Sequence, residues 1–146
     1  MPISEMIPGR LYAGGTIQDQ DWAAMGQRNI NAVVNLRVIP DIVPTQFTNR
    51  ITLLWAPLSP LILPSIDWLL QLLHQIDHLY VSGNRVFVHC TLGVHRTGLV
   101  ITAFYMYKFK MRREEALQMA RNKRPELNPP SHYLALLKEL ESYLFR

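Results

Sequence analysis

Between Arg85 and Gly98 the chain reads Arg-Val-Phe-Val-His-Cys-Thr-Leu-Gly-Val-His-Arg-Thr-Gly, an apolar β-forming run that meets the only cysteine and then an arginine followed by Thr-Gly. Val86, Phe87 and Val88 suit a strand buried on both faces, and the apolar run from Leu99 to Tyr107 suits a buried helix. Only a tight loop fits between them. Such a loop aims backbone N–H groups and the positive end of the helix dipole at one spot, which favours an anion there. Gly93 permits a turn that a side chain would obstruct, so Thr91, Leu92, Gly93, Val94, His95 and Arg96 form the predicted anion cradle.

Arg96 adds a planar fork that matches two phosphate oxygens. Cys90 falls at the floor of the same cradle, where helix dipole, amides and guanidinium all favour a thiolate. A thiolate beside a bound phosphoryl group is a nucleophile in attack position. A lone cysteine after a β-run is most often a small buried hydrophobe. What sets this one apart is its company: His89 before it, Gly93 within the loop, Arg96 beyond it and Thr97 next.

His89-Cys90, five residues, then Arg96-Thr97-Gly98 resembles the signature loop of the cysteine-dependent protein tyrosine phosphatases, in their small dual-specificity branch. The resemblance implies hydrolysis of phosphate monoesters, phosphotyrosine and also phosphoserine or phosphothreonine, through a phosphocysteine intermediate. By the same resemblance Cys90 attacks phosphorus, Arg96 holds the equatorial oxygens, Thr97 helps the thiolate leave, and His89 orients the loop and supports the thiolate. A phosphorylated protein or another phosphate-bearing substrate is the implied partner, and no cofactor is implied. No metal is expected either, because His74, His78, His89, His95 and His132 lack metal-ligand spacing; His74 and His78 share a helix face without a third ligand. Rhodanese-type sulfurtransferases use a similar cradle with a shorter loop, and the low-molecular-weight tyrosine phosphatases carry theirs near the amino terminus.

One departure from the family stands out. The leaving oxygen of an ester needs a proton, which the family supplies from an aspartate in a Pro-x-Pro-Asp loop ahead of the cysteine. Here the register holds Pro57-Leu-Ser-Pro60-Leu-Ile-Leu-Pro64, Pro60 stands in place of the acid, and no carboxylate occurs between Asp41 and Asp67. General acid catalysis is worth about 10²–10⁴-fold, so ordinary esters are expected to turn over slowly. Asp41, Asp67 and His95 are the candidate substitutes, although Asp41 reads as a loop surface charge, Asp67 as part of a helix's first turn and His95 as a rim residue. Two alternatives follow. A phosphoanhydride has a leaving group that needs no proton, and the RNA 5′-triphosphatases of this superfamily have a similar loop and lack that aspartate, which would make RNA the partner. Otherwise the cradle binds phosphoryl groups with little turnover, as an adaptor.

The 146 residues amount to about one domain, expected over 1–146. One cysteine makes no internal disulfide and points to a reducing compartment. The start shows no signal-peptide pattern, and no run approaches the ~18–20 apolar residues of a membrane span, so a cytoplasmic location is expected. A net charge of +4 and a pI near 9.5 favour anionic partners diffusely. Periodicity predicts strands within 7–16, 32–37, 50–57 and 85–89, and helices over 19–28, 65–81, 96–108, 111–122 and from about 131 onward. Ser65 is the expected N-cap of the second helix, with Ile66, Leu69, Leu70, Leu73, Ile76 and Tyr80 inward. Leu117 and Ala120 are expected inward on the fourth helix, and Tyr133, Leu137, Leu140 and Leu144 on the last. Strands alternating with helices predict a single α/β domain with a short, mainly parallel sheet of four to five strands and helices on both faces. Such sheets bind ligands at the carboxyl ends of their strands.

Overall fold

In the computed structural model, which describes residues 2–146, the strands are β1 (Ser4–Ile7), β2 (Leu11–Gly14), β3 (Ala32–Asn35), β4 (Thr52–Trp55) and β5 (Val86–His89). The helices are α1 (Asp21–Gln27), α2 (Ile66–Val81), α3 (Arg96–Phe109), α4 (Arg113–Lys123) and α5 (Ser131–Leu144), with a short 3-10 turn at Thr45–Phe47. The five strands form one sheet in the order β1-β2-β5-β3-β4. β5 is central, parallel to both β2 and β3, and β4 extends the parallel set at one edge.

Alternation along β5 explains why both faces are covered. Val86 and Val88 join Leu11, Ala13, Ala32 and Val34 in the larger core, while Phe87 points the other way and joins Tyr12 and Val33 beneath Trp22 and Met25 of α1. A strand apolar on both faces is stable only between two layers. On the larger face α3 runs through the middle, packed against α2, α4 and α5, and every residue from Thr97 to Met106 is buried. This is the all-round apolar helix that a central position demands.

Ser65 caps α2, its Oγ accepting from the Trp68 amide at 3.0 Å. The buried stripe of α2 is Leu69, Leu72, Leu73 and Ile76, and Ile66, Leu70 and Tyr80 are half-buried. On α4 Ala116 and Ala120, four residues apart, are buried, whereas Leu117 is half-buried. On α5 Leu136 is buried along with Tyr133, Leu137 and Leu140, and Leu144 is half-buried.

The first strand was not expected. The chain enters through an antiparallel hairpin of β1 and β2, turning at Gly9 with φ +68°. The Glu5 carboxylate accepts from the Gly9 amide at 3.0 Å. Four residues that include Ser4 and Glu5 carry too little apolar period to register as a strand. What anchors β1 is tertiary: the Tyr105 hydroxyl donates to the Met6 carbonyl at 2.7 Å, and burial pushes that phenol's pKa up. Among the described residues, no helix is long and apolar enough to cross a membrane.

Truncating the fully buried Leu73 to alanine is expected to cost about 2–5 kcal/mol of stability. Ser65→Ala removes only the cap and should cost about 0.5–2 kcal/mol. Urea denaturation of the two variants measures both, and the order of the two losses is the check.

Candidate active site

The segment 90–95 joins the carboxyl end of β5 to the start of α3. Its carbonyls are held from outside. The Thr91 carbonyl accepts from the Thr16 amide at 2.9 Å and from the Thr16 hydroxyl at 3.0 Å. The Gly93 carbonyl accepts from Arg124 Nε at 3.0 Å, and the Val94 carbonyl from the Asn128 amide at 3.0 Å. In a trans peptide the C=O and the following N–H point in opposite directions. Pulling those three carbonyls outward therefore turns the amides of Leu92, Val94 and His95 the other way. Among the described residues, no amide from Thr91 to His95 donates a backbone hydrogen bond. The loop is a nest of unused donors at a helix N-terminus, the arrangement that binds anions.

Glycine is required at two close approaches. Gly93 has φ +70°, and a Cβ there would lie 2.6 Å from both Arg124 Nη2 and the Gly14 carbonyl carbon. At Gly15 a Cβ would meet the Thr91 carbonyl oxygen at 2.8 Å. The cradle rests directly on the β2 end of the sheet.

Cys90 is 2% exposed, at the floor of the loop. The Thr97 hydroxyl, from the first turn of α3, donates to Cys90 Sγ at 3.0 Å. Arg96 ties three loops together: Nη1 donates to the Leu58 carbonyl at 2.9 Å and to that of Leu36 at 3.4 Å, and Nη2 donates to Thr91 Oγ1 at 3.1 Å. Its fork is thus fixed in place before any ligand arrives.

His89 is fully buried and stacks on Phe87 with ring centroids 5.5 Å apart. Its Nε2 donates to Asp41 Oδ2 at 2.7 Å, and Nδ1 lies 3.4 Å from the Cys90 carbonyl. The Asp41 side chain is only 3% exposed. Asp41 is therefore no loop surface charge, and its carboxylate is occupied with His89 rather than facing a ligand. Asp67 lies in the first turn of α2, and neither Asp41 nor Asp67 lines the cavity above Cys90.

That cavity, about 420 Å³, is lined by Pro60, Cys90, Thr91, Leu92, His95, Arg96, Pro130, His132 and Tyr133. Of the three proposed acids only His95 reaches it. No carboxylate lines the opening, and Pro60 does. The Tyr133 ring forms part of the wall; its hydroxyl is buried without a hydrogen-bond partner. Burial raises the pKa of this phenol, the neighbouring Cys90 raises it further, and Arg96 opposes the shift.

The family model for the dual-specificity phosphatase catalytic domain matches residues 11–143. The chain belongs to the dual-specificity phosphatases. It is 30% identical over 148 residues to the dual specificity protein phosphatase Mpk3 of Drosophila melanogaster, covering 96% of this chain and 34% of that one. To dual specificity protein phosphatase 2 of Mus musculus it is 25% identical over 139 residues, covering 94% of this chain and 42% of the relative. The chain thus spans well under half the length of these relatives. Among solved structures, Tk-PTP in its active form superimposes with a TM-score of 0.85 at 27% identity, over 96% of each chain. A mouse putative dual specificity phosphatase complexed with zinc tungstate gives 0.85 at 21% identity, covering 98% of this chain and 88% of that one; at that identity the likeness concerns the fold.

For this dual-specificity phosphatase domain, three contributions around the loop were not anticipated from sequence. Arg124 is buried behind the cradle, holding Gly93 with Nε and Ser4 Oγ with Nη1 at 2.9 Å. Pro130, His132 and Tyr133 close the cavity from the start of α5. Asp41 supports His89. The Pro-rich stretch 125–130 signalled a helix break, and nothing in it signalled a return to the loop.

Asp41→Ala leaves a ring N–H of the fully buried His89 without its acceptor and is expected to cost about 1–3 kcal/mol, read by urea denaturation. Gly93→Ala should cost about 1–3 kcal/mol of backbone strain and weaken binding of inorganic phosphate, measured by calorimetric titration. Unchanged phosphate affinity in Gly93→Ala would show that the loop tolerates a displaced Gly93.

Proposed function

We propose that the protein hydrolyses phosphate monoesters of phosphorylated proteins through a phosphocysteine intermediate, with Cys90 as nucleophile. The observation that carries this reading is the 3.0 Å hydrogen bond from Thr97 to the Cys90 sulfur, made beneath the inward-turned amides. Phosphoryl oxygens seat on the amides of Leu92, Val94 and His95 and on the Arg96 guanidinium, which oppose the charge that develops in transfer. The Cys90 thiolate attacks phosphorus in line, the S–P bond forms, and the ester P–O bond breaks on the far side. Water then attacks phosphorus, the S–P bond breaks, and inorganic phosphate leaves. In that second step the Thr97 hydroxyl stabilises the sulfur as it regains its negative charge. His89, held by Asp41, fixes the backbone on which the sulfur is carried.

The departing oxygen receives little help. The opening presents Pro60 and no carboxylate, which leaves His95 as the one titratable candidate that the sequence reading named and that reaches the cavity. Loss of a general acid slows a step by about 10²–10⁴-fold when the leaving group needs a proton. Aryl esters such as phosphotyrosine, whose leaving groups are weaker bases, are therefore favoured over phosphoserine and phosphothreonine. The same absence supports a second reading, hydrolysis of a phosphoanhydride such as an RNA 5′-triphosphate, where the leaving group departs already stable as an anion.

Two measurements test the proposal. Across aryl phosphates of graded leaving-group pKa, kcat/KM should fall steeply as the leaving group becomes more basic, and a flat series would mean that an acid is at work. In Cys90→Ser, hydrolysis should disappear while inorganic phosphate still binds. Faster turnover of triphosphate-ended RNA than of any monoester would favour the second reading.

A further inference from the structure

Tyr105 and Tyr133 are the largest fully buried side chains among the described residues. They differ in what their oxygens do. The Tyr105 hydroxyl donates to the Met6 carbonyl at 2.7 Å, a bond that ties α3 to β1. The Tyr133 hydroxyl is just as deeply buried and has no hydrogen-bond partner. Burying a hydroxyl unpaired is unfavourable, and phenylalanine would fill the same space without one. Packing accounts for the ring and leaves the oxygen unexplained.

Its surroundings supply the reason. Of the buried side chains left with an unpaired polar atom among the described residues, Tyr133 is the one that lines the cavity, together with Cys90 and Arg96. Burial above all raises the pKa of this phenol; Arg96 opposes the shift and Cys90 adds to it, so both charges are felt at the oxygen. The hydroxyl therefore keeps its proton at neutral pH. It is a donor facing a site whose ligand is an anion.

Depth decides which part of a ligand this donor meets. Leu92 on the cavity wall is 68% exposed, and His132, next to Tyr133 on α5, is exposed as well. Tyr133 at 1% belongs instead with Cys90 at 2%, at the floor. An ester seated on the loop amides with its phosphorus against Cys90 brings phosphoryl oxygens to that depth and leaves its alcohol towards the exposed end. Those oxygens are charged acceptors, and a hydrogen bond to one of them is of the strong, charge-assisted kind.

We propose that Tyr133 is a further catalytic residue, whose hydroxyl donates a hydrogen bond to a non-bridging phosphoryl oxygen of the ester seated against Cys90. This rests on the phosphatase reading and adds to the loop amides and Arg96 a donor from a separate element, the first turn of α5. Tyr133 keeps its proton throughout, and no covalent bond forms or breaks at its oxygen. The oxygen that it holds is bound before, during and after transfer. The departing alcohol, at the other end of the cavity, gains no proton from it.

Tyr133→Phe in the full chain is the test, with inorganic phosphate and para-nitrophenyl phosphate as probes. In calorimetric titration the variant should bind inorganic phosphate about tenfold more weakly, the loss of one hydrogen bond to a charged group. KM for para-nitrophenyl phosphate should rise by a similar factor with kcat nearly unchanged, because the bond is made alike in the bound ester and during transfer. In urea without phosphate the variant should be at least as stable as wild type, since it loses no internal hydrogen bond. A hydroxyl with a purely structural role would give the reverse pattern. Equal phosphate affinity in the two proteins overturns the proposal, and so does a variant that unfolds at lower urea than wild type. If phosphate affinity falls as expected while wild type hydrolyses no ester, the contact from Tyr133 stands and the phosphatase reading fails.

Discussion

Three backbone carbonyls, those of Thr91, Gly93 and Val94, are drawn away from the centre of their own loop by donors at Thr16, Arg124 and Asn128. Because the peptide unit is rigid and planar, each capture also sets the direction of the next amide. The cradle is therefore oriented from outside, by groups on the β2–α1 connection and on the approach to α5. It has no need of an anion to organise it. A loop whose donors are fixed in advance loses less reorganisation energy on binding than one that must close around its ligand.

The same preorganisation extends to the side chains. Arg96 is held by the roots of two neighbouring loops, Thr97 by its place in the first turn of α3, and His89 by a buried carboxylate. The contacts of His89, Cys90, Thr97 and Arg124 are buried, where they escape the screening that weakens exposed contacts. The opening itself is built of Pro60, Pro130, the exposed Leu92 and the imidazoles of His95 and His132. Chemistry and recognition are thus divided. Under the proposed function a rigid floor would hold the phosphoryl group, and the cavity wall of Pro60, Leu92, His95, Pro130, His132 and Tyr133 would govern what approaches it.

Much of the fold was legible because its elements are locally consistent. Val86–Val88 suited a doubly buried strand and the run after Gly98 a buried helix, so the strand–loop–helix unit was read from fewer than thirty consecutive residues. β1 escaped notice because four residues with Ser4 and Glu5 among them owe their strand to pairing with β2. Leu72 of α2 was missed for a related reason: a helix stripe wide enough to meet both sheet and neighbours takes in one more position than the narrow periodic set. Asp41 was misread. A charge in a proline-containing loop is normally solvated, and only its approach to His89 makes burial tolerable.

By itself the sequence determined that Cys90, Arg96 and Thr97 share one loop and one helix start, since covalent proximity within eight residues leaves no other arrangement. The reading that Pro60 stands in the register of the family's acid also comes from the order of residues along the chain. Only the tertiary structure decided that Asp41 backs His89, that Arg124 and Asn128 hold the loop carbonyls, and that Pro60, Tyr133 and His132 wall the cavity. These are contacts between residues far apart in the chain, and their partners are chosen by how helices pack on the sheet rather than by any local preference. Local chemistry is written in neighbouring residues; the surroundings that tune it are written only in the packing.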